Sequence, residues 1–186
     1  TICGVCHLLP FDIAETNISY YALCALMFSV GLSVGNDPQT LKNFRSLNPR
    51  LVFLPIMTIL GTLAGSAAVS LILTHRSITD CLAVGSGFGY YSLSSIFITE
   101  YKGAELGTIA LLANISREIL TLLAAPLLVR WFGNLAPISA GGATTMDTTL
   151  PIITRTAGQQ FVVVSIFHGF VVDFSVPFLV TLFCSI

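Results

Sequence analysis

The chain has 186 residues, of which 54% are hydrophobic and only 9% are charged. A soluble domain carries about 25% charged residues, and the mean hydropathy here is +0.88. This composition predicts an integral membrane protein whose surroundings are a lipid bilayer. The net charge of -1 offers no basic patch to a nucleic acid, so nucleic acid is excluded as an expected partner.

The first stretch, residues 1–10, is typical of the last turns of an apolar helix that ends at a proline. Because the chain begins with Thr1 rather than methionine, we expect a further segment before it. Cys3, Cys6 and His7 match the pattern of c-type haem attachment. No soluble pocket follows that would enclose a haem, so we expect an ordinary helix, no cofactor and no metal site.

The apolar segments predict the architecture. A membrane-spanning helix needs about 20 mostly apolar residues. Four stretches are predicted to span on that ground: residues 19–35, 50–74, 104–130 and 159–186. Two further apolar stretches, 78–100 and 136–156, are interrupted by GSGFGYYS and GGATTMD respectively. We therefore predict one all-α polytopic membrane transport domain over residues 1–186, of the inverted-repeat secondary-transporter type.

The two interruptions indicate a binding site. They contain five glycines that break the helical pattern: Gly85, Gly87, Gly89, Gly141 and Gly142. Irregular backbone at membrane depth is tolerated only where protein buries it or a water-filled cavity adjoins it. A pair of glycine-interrupted hydrophobic segments is the best sequence indication of a transporter's binding site. The alternative is that both interruptions are loops between shorter helices.

Basic residues give the orientation. They crowd the linker 36–49 and its border at Arg50, which places that linker in the cytoplasm. The interrupted segments either span the membrane or form re-entrant hairpins, and both topologies place the C-terminus outside. We favour hairpins, because they enter from opposite faces and their tips meet near the midplane, as inverted repeats require. In that topology Arg76 and Lys102 lie outside.

One predicted span carries a polar face near its centre. Asn114, Arg117, Glu118 and Thr121 are three or four residues apart and therefore share one side of a helix. An ionisable group at the bilayer centre costs about a few kcal/mol, so each one is a functional candidate by default. The alternative is that Arg117 pairs with an acid only to lock helices together. Glu118 is the stronger functional candidate, because another acid can neutralise Arg117.

Asp147 ends the second interruption, beside the hydroxyl groups of Thr144 and Thr145. A carboxylate held at this depth can bind a cation or a proton. The alternative is structural, because an aspartate is a favourable cap for a half-helix that begins at Thr148.

The first interruption offers complementary chemistry. It supplies the hydroxyl groups of Ser86, Tyr90, Tyr91 and Ser92. The N-terminus of a half-helix carries free N–H groups and partial positive charge, which suit a carboxylate. A site with acids on one side and N–H donors on the other fits a zwitterion with an extra positive charge. A cationic amino acid has that structure.

The last predicted span carries His168 and Asp173. Five residues apart, they diverge by about 140° around a helix and do not form a dyad. His168 either lines the transport core or is a hydrogen-bonded packing residue. For Asp173 we expect a role as a helix–helix partner, with Arg117 as the candidate residue that it pairs with. The sequence contains no hydrolase or intramembrane-protease motif, so we do not expect an enzyme.

Four motifs carry a family resemblance. SGFGYYSLSS, ANISREIL, GGATTMDTTLP and FHGFVVDFSVPFLV occur in this order, and together they resemble the C-terminal half of the bacterial lysine exporter family LysO. The resemblance implies export of L-lysine, and of its analogue thialysine, across the inner membrane. It also implies that two membrane-embedded acids matter for transport, and by motif these are Glu118 and Asp147. A second small membrane subunit supplying the N-terminal half, or a homo-oligomer, is the partner it implies.

These observations together predict an antiport cycle. Lysine's ammonium groups meet Glu118 and Asp147, its carboxylate meets N–H groups at the interruptions, and protonation of an acid from outside resets the carrier. Protons are the expected coupling ion, with sodium as the alternative. A cation/proton or sodium/carboxylate exchanger of the same broken-helix design is a second hypothesis. A membrane scaffold subunit that transports nothing is a third.

Overall fold

The computed structural model describes residues 49–73 and 75–186. The chain forms two compact units, Thr1–Leu41 and Lys42–Ile186, and the described residues all belong to the second. The predicted helix end at 1–10, the C-x-x-C-H motif and the predicted span 19–35 therefore lie outside the described residues. A single transport domain over the whole chain stays a prediction.

The described part of the chain is helical and contains no β-strand. Its α-helices are α1 (Pro49–Val52), α2 (Leu54–Ser70), α3 (Ile78–Gly85), α4 (Tyr91–Lys102), α5 (Ala104–Phe132), α6 (Ala136–Gly141), α7 (Leu150–Ala157) and α8 (Val162–Ser185). Two short 3-10 turns, Gly142–Met146 and Gln159–Phe161, complete it. The all-α prediction is thereby confirmed for these residues.

Within the described part of the chain, three helical stretches are long and apolar enough to cross a membrane: Pro49–Ser70, Ala104–Phe132 and Gln159–Ser185. They coincide with three of the predicted spans. Their outward faces carry large apolar side chains with nothing packed on them, such as Leu123 on α5, which is 74% exposed. Such faces suit hydrocarbon, because lipid solvates apolar side chains that water does not.

Both glycine-rich interruptions break their helices. The first tip, residues 86–90, separates α3 from α4, and the second tip, residues 142–149, separates α6 from α7. Backbone φ is +46° at Phe88, +93° at Gly89 and +63° at Gly142. A right-handed helix requires φ near −60°, so these residues end the helices and redirect the chain.

At the first tip the chain folds back on itself. Asp80, in the first turn of α3, and Lys102, the last residue of α4, form a salt bridge of 3.8 Å. Arg76 and Glu105 pair at the same end, which adds the start of α5. The helices α3 and α4 are therefore the two arms of a hairpin, with both outer ends beside the N-terminus of α5.

The second tip belongs to a hairpin that opens at the other end of α5. A buried apolar cluster is formed there by Ile138, Ile153, Ala157 and Val164, with Leu51, Leu54, Val129, Leu135, Ile152 and Phe161 packed against it. This cluster joins the start of α6, the end of α7 and the C-terminal part of α5. Because the two hairpins open at opposite ends, their tips point toward each other near the middle of α5.

Candidate functional site at the junction of the two tips

The two tips touch through their backbones. The Ala143 N–H donates a hydrogen bond of 3.0 Å to the Phe88 carbonyl oxygen. This approach requires glycine, because a Cβ on Gly142 would collide with that same carbonyl oxygen. On the other side, a Cβ on Gly89 would lie 3.2 Å from the Gly141 carbonyl oxygen. Glycine at these positions lets two irregular segments share one small volume.

The remaining predicted glycines adjoin the junction. A Cβ on Gly141 would lie 2.7 Å from the Cγ2 atom of Thr145. A Cβ on Gly87 would strike the side-chain amide of Asn114, and one on Gly85 would strike Ser66. These glycines therefore allow close packing of the tips against α2 and α5.

Asn114 on α5 fastens the first tip. Its Oδ1 accepts a hydrogen bond of 2.8 Å from the Gly89 N–H. Its Nδ2 donates to the Val84 carbonyl oxygen at 3.2 Å and to the Ala110 carbonyl oxygen at 2.9 Å. The side chain is 3% exposed, so the amide replaces water for backbone groups that the break in the helix leaves unpaired.

We expect Asn114→Asp to destabilise the protein by about 2–3 kcal/mol, because a carboxylate oxygen replaces the donor that Val84 and Ala110 need. Asn134→Asp is the matched control, since Asn134 is exposed. Thermal unfolding of detergent-purified protein measures both changes. Equal stability of the two variants would contradict the role of Asn114 as a fastening.

Arg117 fastens the second tip. Its Nε donates 2.8 Å to the Ala140 carbonyl oxygen and its Nη2 donates 3.1 Å to the Ser139 carbonyl oxygen. Its guanidinium lies 5.9 Å from the centre of the Phe88 ring, which belongs to the first tip. A cation at the last carbonyls of α6 offsets their partial negative charge. One side chain thus contacts the end of α6, which leads into the second tip, and also Phe88 of the first tip.

Arg117 and Asp173 do not pair, contrary to expectation. Among residues 49–73 and 75–186, Arg117 forms no salt bridge, and its nitrogens contact two carbonyls and the Thr62 hydroxyl. The physical reason is the broken helix: the carbonyls that end α6 supply the negative charge that an acid would otherwise provide.

His168 is fully buried and both ring nitrogens are occupied. Nδ1 lies 3.2 Å from the Thr145 Oγ1 and Nε2 lies 2.9 Å from the Thr58 Oγ1. Thr58 in turn donates to the Ser139 hydroxyl at 3.1 Å. These contacts support the packing role for His168, which joins α8 to the second tip and to α2. Thr58 and Ser139 were missed, because nothing local marks a lone hydroxyl in an apolar helix.

The predicted hydroxyl residues divide into two groups. Ser86 donates 2.7 Å to the Leu82 carbonyl oxygen, Thr144 donates 2.9 Å to the Gly141 carbonyl oxygen, and Thr145 donates 2.8 Å to the Gly142 carbonyl oxygen. These three side chains support the backbone. Three other residues are half-buried or exposed and remain accessible: Tyr90, Tyr91 and Ser92.

The N–H groups within the first tip itself are already bonded. Those of Gly87, Phe88 and Tyr90 donate to carbonyls within the tip or α3, and that of Gly89 donates to Asn114. The N–H groups predicted to be free belong to the N-terminus of the following half-helix, α4, which begins at Tyr91. Their role as donors to a carboxylate stays a prediction.

Asp147 is exposed, and its carboxylate accepts hydrogen bonds only from the next residue, Thr148, among the described residues. Its Oδ1 accepts a hydrogen bond of 2.6 Å from the Thr148 N–H. The next helix begins at Leu150, with Thr149 as its N-terminal flanking residue. The expected half-helix start at Thr148 was wrong by two residues, so Asp147 is not its cap. The carboxylate remains accessible to a ligand.

Glu118 lies beside Arg117 on α5 and is half-buried. Within the part of the chain that the structure describes, its carboxylate makes no hydrogen bond and no salt bridge. A partly buried charge without a partner costs free energy unless a cation or proton joins it. Glu118 and Asp147 are therefore the two accessible acids near the junction.

A cavity of about 810 Å³ reaches the junction from the open end of the first hairpin, opposite its tip. Asn114, Arg117 and Thr62 line it near the junction, and Arg76 and Asp80 line it at the outer end. Its volume lies within the range of small-molecule sites, about 300–1,000 Å³. An amino acid therefore fits between the hairpin end and the junction.

An apolar helical protein in which two opposed hairpins meet on a polar face of a long helix has the features of a secondary transporter. The chain belongs to the lysine exporter LysO family, whose model matches residues 1–184. It is 37% identical over 177 residues to the lysine exporter LysO of Escherichia coli, covering 95% of this chain. It is 36% identical over 165 residues to a Haemophilus influenzae protein provisionally named a lysine exporter, covering 89% of this chain.

The chain spans 58% of the length of the Escherichia coli relative and 83% of the Haemophilus influenzae one. No solved structure matches the chain.

Proposed function

We propose that the chain exports L-lysine across the bacterial inner membrane in exchange for protons. The support is the pair of accessible acids, Glu118 and Asp147, beside a junction whose only described arginine is bound to carbonyls. Cationic substrates require carboxylates that no internal cation neutralises. The names of two relatives, one a lysine exporter and the other provisionally named so, agree with this chemistry. Thialysine, which has the same charged groups, is proposed as a second substrate.

We propose further that both hairpins are re-entrant, entering the membrane from opposite faces between four spanning helices. The salt bridge between Asp80 and Lys102 supports this for the first hairpin, because it brings both arms to one end. We propose that this end, with the C-terminus, is the outer face, as the positive-inside rule predicts.

In the proposed cycle, lysine's ammonium groups meet Glu118 and Asp147. Its carboxylate meets an N–H group that becomes free only when the tips separate. Ala143 is the candidate, because its N–H now donates to Phe88 across the junction. Separation of the two tips would expose that donor and open the junction toward one face, which is what alternating access requires.

The test is lysine efflux from cells fed a lysine-containing dipeptide. The strain would lack other lysine exporters and would express the chain with any membrane subunit that copurifies with it. We expect Asp147→Asn and Glu118→Gln each to reduce efflux at least about tenfold, the factor for roughly 1.4 kcal/mol of lost binding. Glu100→Gln is the matched control, because Glu100 is exposed at the end of α4.

Normal efflux from both stably inserted acid variants would contradict the assigned sites. Absence of efflux from the wild type would contradict lysine export itself. Sodium-dependent flux without lysine would then favour the ion-exchanger hypothesis, and no flux of any kind would favour the scaffold.

A further inference from the structure

Asp173 on α8 is the most deeply buried acid in the part of the chain that the structure describes. Its side chain is 4% exposed, and its Oδ1 has no hydrogen-bond partner among residues 49–73 and 75–186. Nearly all buried polar atoms in proteins are paired, and an unpaired buried charge is more costly than an unpaired neutral group. The proposed substrate site does not use this residue.

The second tip, which carries Asp147, packs against α8. The Oγ1 atom of Thr145 in this tip lies 2.9 Å from the Ser165 carbonyl oxygen of α8. A negative charge on Asp147 therefore disfavours a second negative charge on Asp173. On α8 itself, His168 faces away by about 140°. No cation lies among these neighbours, so none of them neutralises Asp173.

Besides the second tip, the described helices that pack most closely on α8 are α3 and α4. Their charged residues lie toward the open end of the hairpin, where Asp80 pairs with Lys102. The helices α2 and α6, which also contact α8, contain no titratable side chain, and α7 contains only Arg155, which is exposed. Among the described residues, Asp173 therefore has no compensating positive charge.

We infer that Asp173 carries the proton that is exchanged for the cationic substrate held at Asp147. This inference rests on the proposed lysine export. A proton is the ligand that fits, because a side chain 4% exposed leaves no room for an amino acid. Protonation removes the unpaired buried charge without any rearrangement of the helices.

Repulsion between the two acids couples the steps. While Asp147 is empty and charged, Asp173 holds its proton. When an ammonium group of lysine neutralises Asp147 on the inside, the repulsion falls and Asp173 releases its proton to the cytoplasm. When lysine leaves on the outside, the charge on Asp147 returns and Asp173 takes a proton from outside. One proton enters for each lysine exported.

Proteoliposomes separate this role from substrate binding. Exchange of labelled for unlabelled lysine, with the same pH on both sides of the membrane, requires no net movement of protons. Net lysine efflux, in contrast, requires protons to move in the opposite direction. For Asp173→Asn we expect exchange to continue while net proton-coupled efflux falls at least about tenfold, within the range of coupling between two sites. The protein is used with any chain that copurifies with it, and Glu100→Gln is the control. Unchanged net efflux, or loss of both activities in a folded variant, would overturn the inference.

Infrared spectroscopy provides a second readout that needs no transport. The wild type at neutral pH should show a carboxylic-acid band that Asp173→Asn lacks. The band should weaken at the same pH in Asp147→Asn, because this change removes the repulsion between the two acids. Asp147→Asn keeps Asp173, so it also serves as the test if Asp173→Asn does not fold. A wild type without the band, or a band unaffected by Asp147→Asn, would overturn the inference. Absence of lysine flux in a wild type that shows the band would instead contradict the proposed function alone.

Discussion

Gly142→Ala is expected to abolish the proposed lysine export and to destabilise the folded protein. The backbone at Gly142 has φ +63° and ψ −125°, a conformation that residues with a Cβ rarely adopt. Strain of this kind costs about 1–3 kcal/mol. The new Cβ would also collide with the Phe88 carbonyl oxygen and lie 3.3 Å from the Arg117 Nη2. Overpacking costs about a further 1–3 kcal/mol. The collision would also force the two tips apart.

Gly133→Ala is the matched control for this change. Gly133 has φ +87° and ψ 174°, but a Cβ there would meet nothing within 4 Å. It therefore carries the backbone strain without the collision. Efflux from dipeptide-fed cells and thermal unfolding in detergent measure both variants. If Gly133→Ala impairs export as severely as Gly142→Ala, strain alone explains the loss and the contact between the tips is not the cause.

Arg117→Ala is expected to have the second-largest effect on stability and on efflux. It leaves the carbonyls of Ser139 and Ala140 without donors, at about 1–3 kcal/mol for each buried group. It also removes the cation that lies over the Phe88 ring, worth about 0.5–2 kcal/mol. Arg117→Lys keeps the charge but loses the fork that reaches two carbonyls at once. We therefore expect the lysine variant to be intermediate in stability and in efflux.

Arg130→Ala controls for loss of a positive charge from the same helix, because Arg130 is exposed in the last turn of α5. Thermal unfolding and efflux again provide the measurements. A lysine variant as stable as the wild type would show that a point charge at the end of α6 is sufficient. An alanine variant with wild-type stability would contradict the fastening of the second tip.

The membrane class and the helical segments followed from local properties of the chain. Apolar length predicted spans at 50–74, 104–130 and 159–186, and the structure has apolar helical stretches at Pro49–Ser70, Ala104–Phe132 and Gln159–Ser185. The boundaries are accurate to a few residues, because hydrocarbon selects composition over a whole turn rather than at one position. Glycine clusters located both breaks for a similar reason, since freedom at positive φ belongs to the residue itself.

The partners of the polar residues depended on the tertiary structure. Arg117 and Asp173 were expected to meet, because opposite charges in an apolar chain attract. Instead Arg117 contacts the end of α6, and Asp173 has an oxygen with no partner among the described residues. Asn114 and Thr58 likewise acquired roles from segments distant in sequence. Composition and spacing determine which residues enter the membrane. The packing of the hairpins decides which groups the polar side chains contact. The reason is that a broken helix supplies carbonyl and N–H groups, which compete with side chains as hydrogen-bond partners.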